Sequence, residues 1–223
     1  MVTRFDVRRP MLALASILRD ALTPVGAGAD ITAEVTDGTV ISLTLSSGGS
    51  GYGKFVRVVV EGGVKPAEIF AAVESGTITG LTLLSGGSGY EPNPVVRVEP
   101  YMREVYDTVP NIFSDTGPFL FMEYKSGDNI ADGLCSFRRE YTVNIVACQD
   151  LLQNVSDADL RTREFIGIFY DLMGSVVTLS DTVREAVVQS DAVTRVPVKQ
   201  SASGGSVYLA NVFEVFIIDG DES

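Results

Sequence analysis

The chain has 223 residues, of which 45% are hydrophobic and 21% charged, enough apolar material for a packed core and incompatible with wholesale disorder. Its formal charge is −12 and it contains no histidine. The acidic balance excludes nucleic-acid binding through a general basic patch, and the missing imidazole excludes Ser-His-Asp and Cys-His sites.

Residues 1–24 read as one helix. Pro10 suits a first turn, where its missing N–H costs nothing. Met11, Leu12, Leu14, Ile17, Leu18 and Leu22 form an apolar stripe, with Arg19 and Asp20 off it. Those two charges also interrupt the apolar run, so this segment is not read as a secretion signal. No run of about 18 apolar residues occurs anywhere, so no membrane span is expected and the protein is expected to accumulate in the cytoplasm where it is made.

Two stretches that follow are near-copies: AEVTDGTVISLTLSSGGSGY at residues 33–52 and AAVESGTITGLTLLSGGSGY at residues 71–90. Tyr52 and Tyr90 set a period of 38 residues, the length of one supersecondary unit used twice. Each copy is expected to be a β-hairpin plus a return strand. In the first, Thr32–Thr36 and Thr39–Leu45 flank the turn Asp37-Gly38, and Phe55–Val60 returns. In the second, Ile69–Glu74 and Thr77–Leu83 flank Ser75-Gly76, and Val95–Val98 returns. The stretches Ser47–Tyr52 and Ser85–Tyr90 are expected as loops. Their glycines, Gly48, Gly49, Gly51, Gly86, Gly87 and Gly89, suit positive φ, and Tyr52 and Tyr90 are expected to fold back as core plugs. A phosphate cradle would need a helix after each glycine run, and a strand follows instead. Calcium-binding Gly-Asp repeats would need more aspartates.

From Glu99 the texture changes. Tyr101–Val109 reads as a strand or linker, Pro118–Tyr124 as a strand, Lys125–Gly133 as a polar loop, and Ser136–Ala147 as a long alternating strand. Ser156 with Asp159 marks a helix start, and Leu160, Ile166, Phe169, Tyr170 and Met173 are its expected core face, ended by Gly174. Ser180–Val188 reads as a short helix, Val193–Val198 as an edge strand because of Pro197, and Val207–Ile218 as the last strand. Cys135 and Cys148 are 13 residues apart. On one strand that is roughly 40 Å, so they are expected to be reduced.

The expected fold class is α+β: an antiparallel sheet with two main helices on one face, formed by residues 1–29 and 101–223. Residues 30–100 are expected to be an inserted all-β module of two copies, 33–60 and 71–98.

Outside the repeats, four segments carry a resemblance: RRPMLALASILRDAL, GPFLFMEYKSG, FRREYTVNIVACQD followed by DADLRTREFIGIFYDLMG, and YLANVFEVFII. Together they resemble the tail terminator, or tail completion, proteins of long-tailed bacteriophages, over residues 1–24 and about 110–220. The resemblance implies a structural virion protein that forms a ring with itself, usually a hexamer. The ring caps the tail tube and meets the tube protein on one side and neck or connector proteins on the other. DNA passes through its lumen without specific binding, and the ring is assembled in the host cytoplasm. No cofactor, metal or catalytic residue is implied. An acidic lumen would repel phosphates, and Asp128, Asp132, Asp157 and Asp159 are the candidate lumen or rim acids. Two readings stand beside this one: a head-tail stopper or adaptor of the neck, and a carbohydrate-binding or adhesive surface module built on the repeats. Asp157 and Asp159 as an acid–base pair would make an enzyme, but they fit helix capping better.

Overall fold

The computed structural model describes residues 8–110, 118–131, 137–150, 155–175, 179, 185–199 and 205–219. It is a mixed α+β protein dominated by strands, with two helices. The chain divides into two compact units: Met1–Leu18, Glu104–Gln153 and Arg161–Ser223 form the first, and Arg19–Arg103 with Asn154–Leu160 the second. Helix α1 (Arg8–Leu22) and helix α2 (Val155–Ser175) each contribute to both.

The second unit holds the repeats. The first copy is β1 (Val25–Thr36), β2 (Thr39–Tyr52) and β3 (Val56–Val60); the second is β4 (Glu68–Glu74), β5 (Thr77–Ser85) and β6 (Val96–Pro100). Each hairpin turns on two residues of positive φ, Asp37 with Gly38 and Ser75 with Gly76, which suits the right-handed twist of the strands. Register shifts fall at Asp30/Ile31 and Glu34/Val35 in the first hairpin and at the equivalent Glu68/Ile69 and Ala72/Val73 in the second. The return strands pair with each other, antiparallel, with Val58 opposite Val98. The unit therefore has a pseudo-two-fold axis between those two valines. Its core includes the matched pairs Val40 and Ile78, and Tyr52 and Tyr90, together with Val58; its counterpart Val98 is partly buried and packs against this core with Leu43, Leu45, Leu81 and Leu83.

The first unit is a five-stranded sheet in the order β10-β11-β9-β8-β7. Its strands are β7 (Glu104–Tyr106), β8 (Phe119–Ala131), β9 (Phe137–Asp150), β10 (Glu185–Lys199) and β11 (Gly205–Asp219). On one face Tyr141, Val143, Ile145, Phe213, Val215 and Ile217 are buried, in line with the alternation expected for the long strand. Phe169 of α2 stacks on Phe213 with ring centroids 4.1 Å apart, and Phe165 meets both rings. The Asn211 amide donates to the Thr162 carbonyl at 3.0 Å, tying α2 to β11. The opposite face has a small core of its own: Phe119, Phe121, Val146, Cys148 and Ala210.

Several expectations are corrected. The sheet is not wholly antiparallel, because β7 runs parallel to β8. The polar run from Lys125 stays in β8 to Ala131, since its backbone continues to pair with β9 as far as Phe137. Glu185–Val188 is strand, not helix; pairing with Ile218 through Val215 overrides its local helical pattern. Tyr170 is exposed, and the helix buries Phe165 and Leu172 instead. Leu12 is also exposed, and Gly174 lies inside α2. Ser47–Tyr52 is not a loop, because β2 continues to Tyr52 against Val25–Asp30. In the second copy Pro66 stands where the first has Gly28, and pairing shrinks to one bridge, Lys65 with Ser88. Proline lacks the N–H that a ladder needs. Asp132 and Cys135 lie outside the described residues.

Candidate functional site

The repeats bring their glycines and tyrosines together by reciprocal exchange across the axis. Tyr52 N–H donates to the Gly76 carbonyl and Tyr90 N–H to the Gly38 carbonyl, each at 3.0 Å, so each copy's last residue is held by the other copy's turn. Val40 N–H donates to the Gly86 carbonyl at 3.1 Å. The glycines serve two different purposes. Gly49, Gly51, Gly87 and Gly89 have φ of 61°, 79°, 63° and 82°, as expected. Gly48 and Gly86 do not; they are glycine for space, because a Cβ there would lie 2.1 Å from the Ile78 oxygen and 2.2 Å from the Val40 oxygen.

The two tyrosines are buried plugs, 8% and 5% exposed. Tyr52 lies over Gly26 and Tyr90 over Gly63, close enough that a Cβ on either glycine would overlap the ring. Each hydroxyl accepts a backbone N–H of its own copy, from Ala29 at 3.3 Å and from Ala67 at 2.7 Å. Burial raises the Tyr90 pKa; the Ala67 N–H works against this and the Asp157 carboxylate adds to it. Carbonyl oxygens, not converging N–H groups, face Gly48 and Gly86, so the geometry offers no anion cradle there.

The four candidate acids do not form one cluster. Asp128 lies on β8 in the first unit, exposed and in register with Glu140 of β9. Asp157 lies on the first turn of α2 and Asp159 just beyond it, both in the part that belongs to the second unit. Asp157 Oδ1 accepts a hydrogen bond from Arg57 Nη2 at 2.7 Å, with the two side chains 24% and 7% exposed. Asp157 is therefore a structural counter-ion for a buried guanidinium, and Asp159 beside it is exposed. Arg57 is the residue the sequence reading missed. The signal was an arginine inside the apolar run FVRVVV, where a buried charge requires an acid partner.

In the first unit, Cys148 is a free, buried thiol whose pKa is pushed up to about 12 by burial. Tyr170 donates to Asp191 Oδ1 at 2.8 Å, and that carboxylate, with some help from burial, raises the phenol's pKa. A recess lined by Arg8, Met11, Leu12, Asp107 and Thr108 holds none of the candidate residues. Among the described residues no group of three or more His, Cys, Asp or Glu could hold a metal ion, and no helix is long and apolar enough to cross a membrane. No model of a known protein family matches the chain, and no curated protein matches it.

Proposed function

We propose that the chain is a structural subunit of a long-tailed phage virion, forming a homomeric ring, a hexamer in the simplest case, at the head-proximal end of the tail. The ring ends the tail tube and joins it to the neck, with tube protein on one face and connector proteins on the other. One observation carries this reading: outside the repeats the chain runs α1, β7, β8, β9, α2, β10, β11, so that, apart from the short β7, the segments that resemble the tail terminators form a helix, two strands, a helix and two strands. The stacking of Phe169 on Phe213 supports α2 packing on one face of the sheet, as this reading requires of both helices. DNA moves through the lumen without being held, and the net charge of −12 supports such a channel. Asp128 and Asp159 are the lumen or rim acids of this reading, while Asp157 serves Arg57. The repeat module is an insertion that extends the ring's outer surface. The subunit is made in the host cytoplasm, ends in the virion and uses no cofactor or membrane. Negative-stain microscopy of the purified protein tests this. Closed rings with a central hole are expected; a monodisperse monomer at every concentration tried would overturn the reading.

A further inference from the structure

Arg57 and Arg97 occupy the same position of the two repeats, in FVRV and VVRV. The register sets Arg57 opposite Glu99 and Val59 opposite Arg97, so all four side chains share one face of the β3–β6 ribbon. The other face carries Val58 and Val98 into the core. The pseudo-two-fold axis between those valines carries Arg57 onto Arg97. The two halves of the outer face thus share the arginine but not its neighbour across the ribbon, Glu99 for Arg57 and Val59 for Arg97, and only the Arg57 half is covered.

In the covered half, Asp157 on the first turn of α2 holds Arg57 at 2.7 Å and leaves it 7% exposed. Phe55, just before it, donates its N–H to the Ala21 carbonyl at the end of α1. In the other half Arg97 is 61% exposed, and the matching residue before it, Val95, is also exposed. The Arg97 Nε lies 2.8 Å from Glu61 Oε1, an ion pair open to water on both sides. Such a pair is worth little and yields readily to a better partner.

We propose that the Arg97 half is a docking surface for the first turn of a helix on another protein, with an aspartate on that turn taking Arg97 as Asp157 takes Arg57. The chain itself displays the complementary piece on an equivalent surface. An arginine fork prefers a carboxylate, and an acid is favoured in a helix's first turn, so partner and surface select each other. Apolar contact would come from Val95, and Glu61 would be displaced into water. A second copy of this chain is the poorer occupant, because its own Asp157 turn is already engaged at Arg57. Nucleic acid is disfavoured by the net charge of −12.

The probe is a dye-labelled peptide with the sequence of residues 154–165, NVSDADLRTREF, titrated into the full-length protein by fluorescence anisotropy. Saturable binding is expected. Arg97→Glu should weaken it at least about tenfold, and an Asp157→Lys peptide should regain affinity for the Arg97→Glu protein but not for the wild type. Arg97→Gln, which is shorter, polar and uncharged, gives the same answer should Arg97→Glu misfold. Absence of saturable binding to the wild type, or binding that Arg97→Glu and Arg97→Gln leave unchanged, would overturn the proposal. So would dissociation of a wild-type oligomer by Arg97→Glu, which would make a second copy the occupant. The peptide titrations do not depend on whether the protein forms a ring, so their failure and the failure of the ring reading are distinguishable.

Discussion

At the scale of single residues, the repeat glycines divide by what they stand against. Gly48 and Gly86 face backbone oxygens at 2.1 and 2.2 Å from where a Cβ would be, and backbone cannot swing aside. Gly80 meets only the Ala72 Cβ, at 3.9 Å. Gly48→Ala and Gly86→Ala are therefore expected to cost about 1–3 kcal/mol each in urea unfolding. Gly80→Ala, with no positive φ to strain, is expected to be neutral or to gain up to about 1 kcal/mol. Equal losses at all three would mean that glycine flexibility, not close approach, explains the motif. Tyr90 gives a pH test. Burial raises its pKa above the ordinary 10.0, so the folded state keeps a proton that the unfolded state has already released. The neutral phenol's contribution is complete below the unfolded value and is lost as pH rises through the folded one. Tyr90→Phe should be weaker than wild type at neutral pH by about 1 kcal/mol, because the Ala67 N–H loses its acceptor. It should also lose less stability than wild type between about pH 9 and about pH 11. A wild type whose stability is flat across that range would refute the burial account. Cys148, pushed to about 12, should resist a thiol reagent at mildly alkaline pH in a Cys135→Ser background and react at once in denaturant.

At the scale of elements, the two hairpins depend on each other. Among the described strands β3 and β6 pair only with one another, and each hairpin's turn carbonyl holds the other copy's tyrosine N–H. Val58 stands at the axis and is 5% exposed. Val58→Asp would bury an unpaired charge there, at roughly 3–5 kcal/mol. Hydrogen exchange should then show Val40, Tyr52 and Tyr90 losing protection together. Loss confined to β3 and β6 would show that the hairpins stand alone. The sequence made the hairpins, their turns and the tyrosine plugs legible, because Asp37-Gly38 and Ser75-Gly76 are local signals. It hid the pairing of β3 with β6, since no short-range feature says which strand a valine run will join. It also placed the repeat start too late. Gly26 and Ala29 in one copy and Gly63 and Ala67 in the other belong to the tyrosine seats, but Pro66 against Gly28 blurs that part of the match. The expected helix at 180–188 failed where it can be checked because Glu185–Val188 is decided by β11, a partner about 30 residues away in sequence. Among the acids, spacing placed Asp157 and Asp159 on one helix turn, but only the fold could assign Asp157 to Arg57.

At the scale of the whole molecule, the charge balance governs how subunits meet. Each carries a formal −12, so copies approaching in solution repel one another before any contact forms. A ring must overcome that repulsion through apolar and backbone contacts, which salt does not weaken. Strand β10 lies at one end of the sheet order, runs from Glu185 to Lys199 and has Pro197 near its end. Proline at an edge is one of the devices that limit indiscriminate strand pairing. Assembly of the proposed ring is thus expected to strengthen as ionic strength rises from about 0.01 M to about 0.3 M, because the Debye length falls from roughly 30 Å to well under 10 Å and subunit charges cease to feel one another. Sedimentation velocity across that range should show the ring peak growing at the expense of the monomer. The opposite trend, rings that dissolve as salt is added, would mean that oppositely charged patches hold the subunits together. In that case the net charge would not be the charge of the interface, and Asp128 and Asp159 would have to be sought at subunit contacts rather than in an acidic lumen.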